Sequence, residues 1–241
     1  LEAYNYPNQS MDILRKIGTV DCIKCKSNLD LIKILELKEY DIIILSLGLF
    51  FDSKCFRLQN KLRFLVSPTT GLNHIDLISA KKNNVKVISL KGDYDFLSNI
   101  KSTAEHTWAL LLSLIKKVNL ASKLTKSGLW DRDRVLPNDE LDNKNLGIIG
   151  FGRLSRIISR YAEAFNMKVL AYDKYKTISE PGVENVALET LYKRVNVISF
   201  HVPETEETIS MGDHAFFSRF QHQLIVLKIC RGKVVETESL V

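Results

Sequence analysis

Disulfide chemistry has almost no material to work with in this chain. Its 241 residues include four cysteines, Cys22, Cys25, Cys55 and Cys230, too few and too scattered to staple a secreted scaffold. Cys22 and Cys25 form a single C-x-x-C pair with no second pair and no histidine at ligand spacing, so the sequence offers no metal site. Long hydrophobic runs are also missing. The longest, residues 42–51 (interrupted by Ser46 and Gly48) and 109–115, fall far short of the roughly 18–20 residues that cross a bilayer, which argues against a membrane partner. Leu1-Glu2-Ala3-Tyr4-Asn5 shows no basic segment leading into an apolar one, so no secretory signal is read there and a cytoplasmic location is the expectation. Charge of one sign is scarce as well. Lys and Arg total 34 against 28 Asp and Glu, a net charge of +6. Residues 1–100 hold 14 basic and 11 acidic side chains, the remainder 20 and 17. Each part therefore carries +3, the pattern of a mixed solvated surface, and no nucleic-acid face is expected.

What is present is a foldable composition, 45% hydrophobic with 11 Gly and 5 Pro, long enough for one large domain or two small ones. Strand-like runs alternate with helix-like ones throughout, which predicts an α/β fold with parallel sheets covered by helices. In the first part residues 40–47 (YDIIILSL), 62–66 and 85–90 suit strands buried on both faces, with covering helices over 29–36 and 75–83. Residues 102–126 contain no Gly or Pro and read as one long helix, preceded by a loop at 92–95. A long connection over 127–144 follows, carrying Gly128, Pro137 and Asn138. The domain boundary is placed near residue 100, giving domains 1–100 and 101–241.

The chemistry concentrates in Asn145-Leu146-Gly147-Ile148-Ile149-Gly150-Phe151-Gly152-Arg153-Leu154-Ser155, an apolar strand running into a glycine-rich turn. From Leu154 onward, apolar residues at 157, 158, 161, 162 and 165 follow helical spacing. Residues 168–172 (KVLAY) then form a second strand that ends at Asp173. This is the βαβ pattern of a dinucleotide site. Gly150 permits the tight turn and Gly152 the approach of backbone to a pyrophosphate, whose charge meets free amides and the positive helix end. Asp173 can accept from both adenosine ribose hydroxyls and would repel a 2′-phosphate, which favours NAD over NADP. A flavin or S-adenosylmethionine fold and a purely structural turn are the alternatives these residues leave open. Ser155 occupies the third glycine position, where helix and strand pack closest, and is expected to displace the helix slightly and to bond locally.

Further on, residues 186–195 read as a helix and 196–202 (NVISFHV) as a strand closed by His201-Val202-Pro203. Residues 224–229 form another strand, with Cys230-Arg231-Gly232 in the same topological place. An arginine there can hold a carboxylate through two parallel hydrogen bonds, or serve only as a surface salt bridge.

Taken together, several segments resemble the D-isomer-specific 2-hydroxyacid dehydrogenase family, relatives of the phosphoglycerate, D-lactate and glyoxylate/hydroxypyruvate enzymes. They are Thr70-Gly71-Leu72-Asn73-His74-Ile75-Asp76, Ser102-Thr103-Ala104-Glu105-His106, residues 146–155, Ala171-Tyr172-Asp173, residues 196–203 with Thr205 and Thr208, and Arg231-Gly232. The resemblance implies two doubly wound parallel-sheet domains, a flavodoxin-like substrate domain and a Rossmann NAD-binding domain. It implies an NAD-dependent oxidoreductase interconverting a D-2-hydroxy acid and its 2-oxo acid. Arg153 and Leu154 would meet the pyrophosphate. Thr103, His201, Pro203 and Thr208 would line the cofactor cleft. The amides of Thr70 and Gly71 would face the substrate carboxylate, with Arg231 gripping it and polarising the carbonyl. A homodimer would form around residues 102–126 and the loop after them.

The sequence departs from that pattern before Arg231, where Lys228-Ile229-Cys230 replaces the family's usual Asn, Thr and small residue. The family's catalytic Glu and acid/base His lie downstream of the arginine, beyond the Val241 at which this sequence stops. The expectation is a fragment of a longer enzyme. The other reading is an NAD(H)-binding regulatory or protein-interaction module without turnover. None of the five histidines presents a replacement base; packing or exposure is the expected role of His74, His106, His201, His214 and His222.

Overall fold

The computed structural model describes residues 6–136 and 139–240. The segment 1–5, Pro137 and Asn138 of the long connection, and Val241 lie outside the described residues. The chain packs as two compact units, residues 1–97 and 98–241. No helix among the described residues is long and apolar enough to cross a membrane.

In the first unit, α1 (Asn8–Ile17) and α2 (Asn28–Leu37) precede three parallel strands, β1 (Ile42–Ile44), β2 (Phe64–Ser67) and β3 (Lys86–Ser89). The strands pair in the order β1-β2-β3. The helices α3 (Ser53–Arg57) and α4 (Leu77–Lys82) occupy the two crossovers. α2 begins with a capping box in which Ser27 accepts from the Asp30 amide and Asp30 accepts from that of Ser27. It buries Leu31 and Leu35, one turn apart, in a core shared with Ile43, Leu65, Phe51 and Phe56. The expected strand over 40–47 is reduced to three residues. Leu45 still donates to the Val66 carbonyl, but the chain then turns, with the Leu49 amide on Ser46 O and the Gly48 amide on the Ser46 hydroxyl. Leu45, Leu49 and Phe51 stay buried without being strand. At the boundary, α5 (Tyr94–Ser98) replaces part of the expected loop, because the Asp93 side chain accepts from the Phe96 amide and its carbonyl from that of Leu97.

The second unit contains α6 (Ser102–Ile115), α7 (Val118–Lys126), α8 (Arg132–Val135), β4 (Asn145–Ile149), α9 (Arg153–Ala164), β5 (Lys168–Tyr172), β6 (Val183–Asn185), α10 (Leu188–Arg194), β7 (Val197–Phe200), α11 (His214–Phe217) and β8 (Ile225–Lys228). Its five parallel strands run in the order β6-β5-β4-β7-β8, so the direction of winding reverses at β4. Successive residues of the central strands enter two different cores. Leu146, Ile148, Val169, Ala171 and Val197 pack on the side of α6 and α9. Ile149, Leu170, Ile198 and Phe200 join Leu191, Tyr192 and Phe216 on the opposite side. Both faces are covered, so these strands are apolar throughout rather than alternating.

The single helix expected over 102–126 is corrected to two. α6 buries Ala104, Trp108, Leu111 and Ile115, and that stripe would continue onto Asn119, Ser122 and Lys126, all polar. The apolar phase instead resumes at Leu124. Lys117 adopts a left-handed φ of 49°, and the break rotates the following helix to bring that side chain inward. The edge strand β6 had no apolar run to announce it, since two of its three residues, Glu184 and Asn185, are exposed.

Candidate functional site

The turn that leaves β4 is shaped by backbone first. Gly150 has φ +83°, and a Cβ there would stand 2.8 Å from both the His201 carbonyl oxygen and Val202 Cγ1, so glycine is demanded by conformation and by space. Its amide donates to the Tyr172 carbonyl at 2.8 Å, tying the turn to the end of β5. Gly152 differs. A Cβ at that position would meet nothing within 4 Å, which leaves the backbone open to an incoming group. α9 starts here without a side-chain cap, and the amides of Gly152 and Leu154 find no acceptor among the described residues. Uncapped amides at the positive end of a helix favour an anion.

Ser155 is fully buried, and its hydroxyl donates to the Gly150 carbonyl at 2.6 Å. The third glycine position is thus filled by a side chain that braces the turn from within.

Asp173 follows β5 and turns its carboxylate back onto the glycine turn. Oδ2 accepts from the Phe151 amide at 2.8 Å and Oδ1 from the Tyr175 amide at 3.0 Å. Partial burial pushes this carboxyl up, but the two amides and the nearby Lys176 outweigh burial and hold it below the usual aspartate value. An ionised carboxylate with lone pairs left over beside an open glycine turn is an acceptor for vicinal hydroxyls.

On the other side of β4, His201 continues β7, its amide bonded to the Ile149 carbonyl at 2.8 Å. Its Nε2 lies 2.8 Å from the hydroxyl of Ser199, a fully buried side chain. Burial pushes the imidazole down to about 4, so the ring is neutral at physiological pH. Ser199 was legible as the one polar residue in an apolar strand, two positions from His201 and hence on the same face. The loop that follows is pinned by the buried Thr208, whose hydroxyl donates to the Pro203 carbonyl at 2.6 Å and accepts from the Thr205 amide at 2.8 Å. Beside it, Glu207 accepts from Lys174 Nζ at 2.7 Å and from the Tyr175 hydroxyl. Nothing in the sequence pattern announced that connection.

Arg231 follows β8 and opens the short 3₁₀ turn Gly232–Val234. Its partly buried side chain has no hydrogen bond or ion pair among the described residues, so the salt-bridge reading has no partner there. Lys228 donates to the Val235 carbonyl at 2.6 Å, an internal use for the charge that replaces the family's amide. Burial pushes the neighbouring Cys230 thiol up.

Gly150, Gly152, Asp173, His201 and Arg231 therefore gather at the carboxyl ends of one parallel sheet around the reversal at β4, where such sheets bind ligands. Arg153 directs Nη1 to the Ile100 carbonyl at 2.6 Å, just before α6. Thr103 is exposed in the first turn of α6, with its carbonyl accepting from the Thr107 hydroxyl. Leu154 packs partly against the core.

Thr70 and Gly71 belong to the first unit. Their loop is built from side chains: the Ser67 hydroxyl contacts Thr69 Oγ1 at 2.8 Å and His74 Nε2 at 3.0 Å, and Thr69 Oγ1 donates to the Gly71 carbonyl at 2.8 Å. The amides of Thr70 and Gly71 have no acceptor among the described residues. His74 is buried and Asp76 caps α4 through the Ser79 amide, so both motif residues have structural work. Among the described residues no cluster of His, Cys, Asp or Glu could hold a metal ion.

Comparison with known proteins matches this geometry. The chain is 30% identical over 236 residues to a D-3-phosphoglycerate dehydrogenase of Archaeoglobus fulgidus, covering 96% of this chain and 43% of that protein. It is 30% identical over 245 residues to a glyoxylate reductase of Pyrococcus furiosus, covering 98% and 71%. The chain thus spans less than half the length of the first relative and under three quarters of the second. The solved structure of an NAD-dependent formate dehydrogenase from Staphylococcus aureus in complex with NAD superposes with a TM-score of 0.81 at 25% identity, over 96% of this chain and 69% of that one. Residues 108–241 match the family model described as "D-isomer specific 2-hydroxyacid dehydrogenase, NAD binding domain". With that model matching more than half of its length, the chain belongs to the D-isomer-specific 2-hydroxyacid dehydrogenase family.

Proposed function

We propose that this chain forms the cofactor-holding and carboxylate-holding part of an NAD-dependent oxidoreductase that interconverts a D-2-hydroxy acid and its 2-oxo acid. The observation that carries the reading is the Asp173 carboxylate, fixed by the Phe151 amide at 2.8 Å beside a turn whose outer face at Gly152 is open. Those residues fit a dinucleotide: backbone amides and the α9 end for the diphosphate, a carboxylate for the ribose diol. When bound, NAD supplies the hydride acceptor that this chemistry requires.

The chain's own residues do the rest of what can be derived. Asp173, ionised across the physiological range, accepts from the ribose hydroxyls and opposes a 2′-phosphate. His201, kept neutral by burial and oriented by Ser199, gives the cleft an uncharged wall. Arg231, without a side-chain partner among the described residues, is available to hold a substrate carboxylate in bidentate fashion and to draw electron density from the adjacent carbonyl. In the first unit, the Thr70 and Gly71 amides, without an acceptor among the described residues, are two donors available to an anionic group. A homodimer is the assembly we favour, because Leu110, Leu114, Val118, Leu129 and Trp130 are exposed along α6, α7 and the segment after them, with Trp130 at 91%.

Titration of NADH fluorescence tests the central claim. The chain should bind NADH, and Asp173→Ala should weaken binding about tenfold or more, the scale of lost charge-assisted hydrogen bonds. Arg231→Gln should leave NADH binding intact and abolish the quenching or displacement produced by a small 2-oxo acid. Failure of the wild-type chain to bind NADH would sink the proposal.

A further inference from the structure

Lys174 immediately follows the carboxylate assigned above to the ribose diol, and Lys176 lies two residues further on. Cations in that position are the usual means of accepting a 2′-phosphate on the ribose, the group that distinguishes NADP from NAD. Yet Lys174 is not available. Its Nζ donates to Glu207 Oε2 at 2.7 Å, and the Tyr175 hydroxyl donates to the same oxygen. Each partner stabilises the other's charge, with Glu207 held below its ordinary value and Lys174 above. The connection runs from the segment after β5 to the loop after β7, two strand spacings or about 10 Å apart across the end of β4. It therefore spans the crevice at the winding reversal. Glu207 comes from an acidic stretch, Glu204, Glu206 and Glu207, in a loop pinned by the buried Thr208, so its position is set independently of Lys174.

We infer that Glu207 is a specificity-determining residue that disfavours a 2′-phosphorylated dinucleotide by occupying Lys174, the cation that immediately follows Asp173. Discrimination then has two parts. Asp173 repels the phosphate directly, and Glu207 withholds one of the counter-charges that would offset that repulsion. The inference rests on the dinucleotide reading of the glycine turn.

The test is fluorescence titration with NADH and NADPH, on the wild-type chain and on Glu207→Gln, Lys174→Met and the double variant. Glu207 and Lys174 side chains are each 54% exposed, and far-UV circular dichroism verifies that the variants fold. Wild type should prefer NADH. Glu207→Gln should raise NADPH affinity relative to NADH by about three- to fivefold, the scale of an exposed ion pair, and adding Lys174→Met should cancel the gain. A Glu207→Gln ratio equal to that of wild type, or a gain that survives loss of Lys174, would overturn the inference while leaving the cofactor reading standing. Binding of neither nucleotide by the wild type would overturn both.

Discussion

The two loops that follow the first unit's β2 and the second unit's β4 solve the same problem by different means. Each leaves the carboxyl end of a parallel strand and has backbone amides without an acceptor among the described residues. The loop after β2 keeps its shape through side chains, the Ser67, Thr69 and His74 contacts of 2.8 and 3.0 Å. The turn after β4 keeps its shape through the φ of Gly150, one local hydroxyl from Ser155 and one remote carboxylate. The difference follows from the sheets. β2 lies within a sheet whose order never reverses among the described strands, whereas β4 stands where winding changes direction, with His201 from β7 pressed against the turn. The crowded side, at Gly150, has room only for main chain, while the side at Gly152 stays open.

The sharpest way to break this comparison is to add a Cβ to each glycine of the second turn. Gly150→Ala should be the most damaging, costing about 1–2 kcal/mol for the left-handed φ alone and more for the 2.8 Å approach to the His201 carbonyl. Gly152→Ala should leave urea-induced unfolding nearly unchanged, since its Cβ enters open space, and should weaken NADH binding. Equal stability losses at the two positions would show that the open face does not exist.

Acid titration probes the crowded side. The His201 imidazole is pushed from 6.5 down to about 4 by burial, so between those values the unfolded chain binds a proton that the folded chain refuses. Stability is fully present above pH 6.5 and falls as pH drops toward 4, by at most about 3 kcal/mol from this group. The measurement is urea unfolding across that window in wild type and His201→Gln; the variant should show the shallower dependence, and identical slopes would remove His201 from the account.

A smaller effect is expected from Ser67→Ala, which deletes the hydroxyl at the centre of the first loop. A loss of about 1–2 kcal/mol is the scale of a buried hydroxyl with two partners, with no change in NADH affinity. Smaller again is Ser155→Ala, at about 1 kcal/mol for the single bond to the Gly150 carbonyl. Here a slight loosening of NADH should accompany the loss, because the braced carbonyl belongs to the turn itself.

Much of the second unit was legible without coordinates. The strand, glycine turn, amphipathic helix and terminal Asp173 announce themselves because backbone requirements restrict residue type locally. Arg231 and His201 were legible by their position at strand ends. The Ser67–Thr69–His74 network and the Lys174–Glu207 pair were not, since small polar and charged residues carry no periodicity and their partners are chosen by how the loops meet. The single helix over 102–126 failed for a related reason: absence of Gly and Pro suggests continuity, while the polar phase at Asn119 and Ser122 requires the turn at Lys117.

The sequence by itself determined the α/β alternation, the two-sided burial of the central strands and the glycine turn with its facing acid, because each depends on neighbours a few residues away or on repeating period. Tertiary structure alone decided which cations are spent internally and which remain available. Lys228 goes to a carbonyl, Lys174 to Glu207, and Arg231 is left without a side-chain partner among the described residues. A charge acquires its role only when distant segments come within hydrogen-bonding distance, and residue order along the chain does not encode that proximity directly.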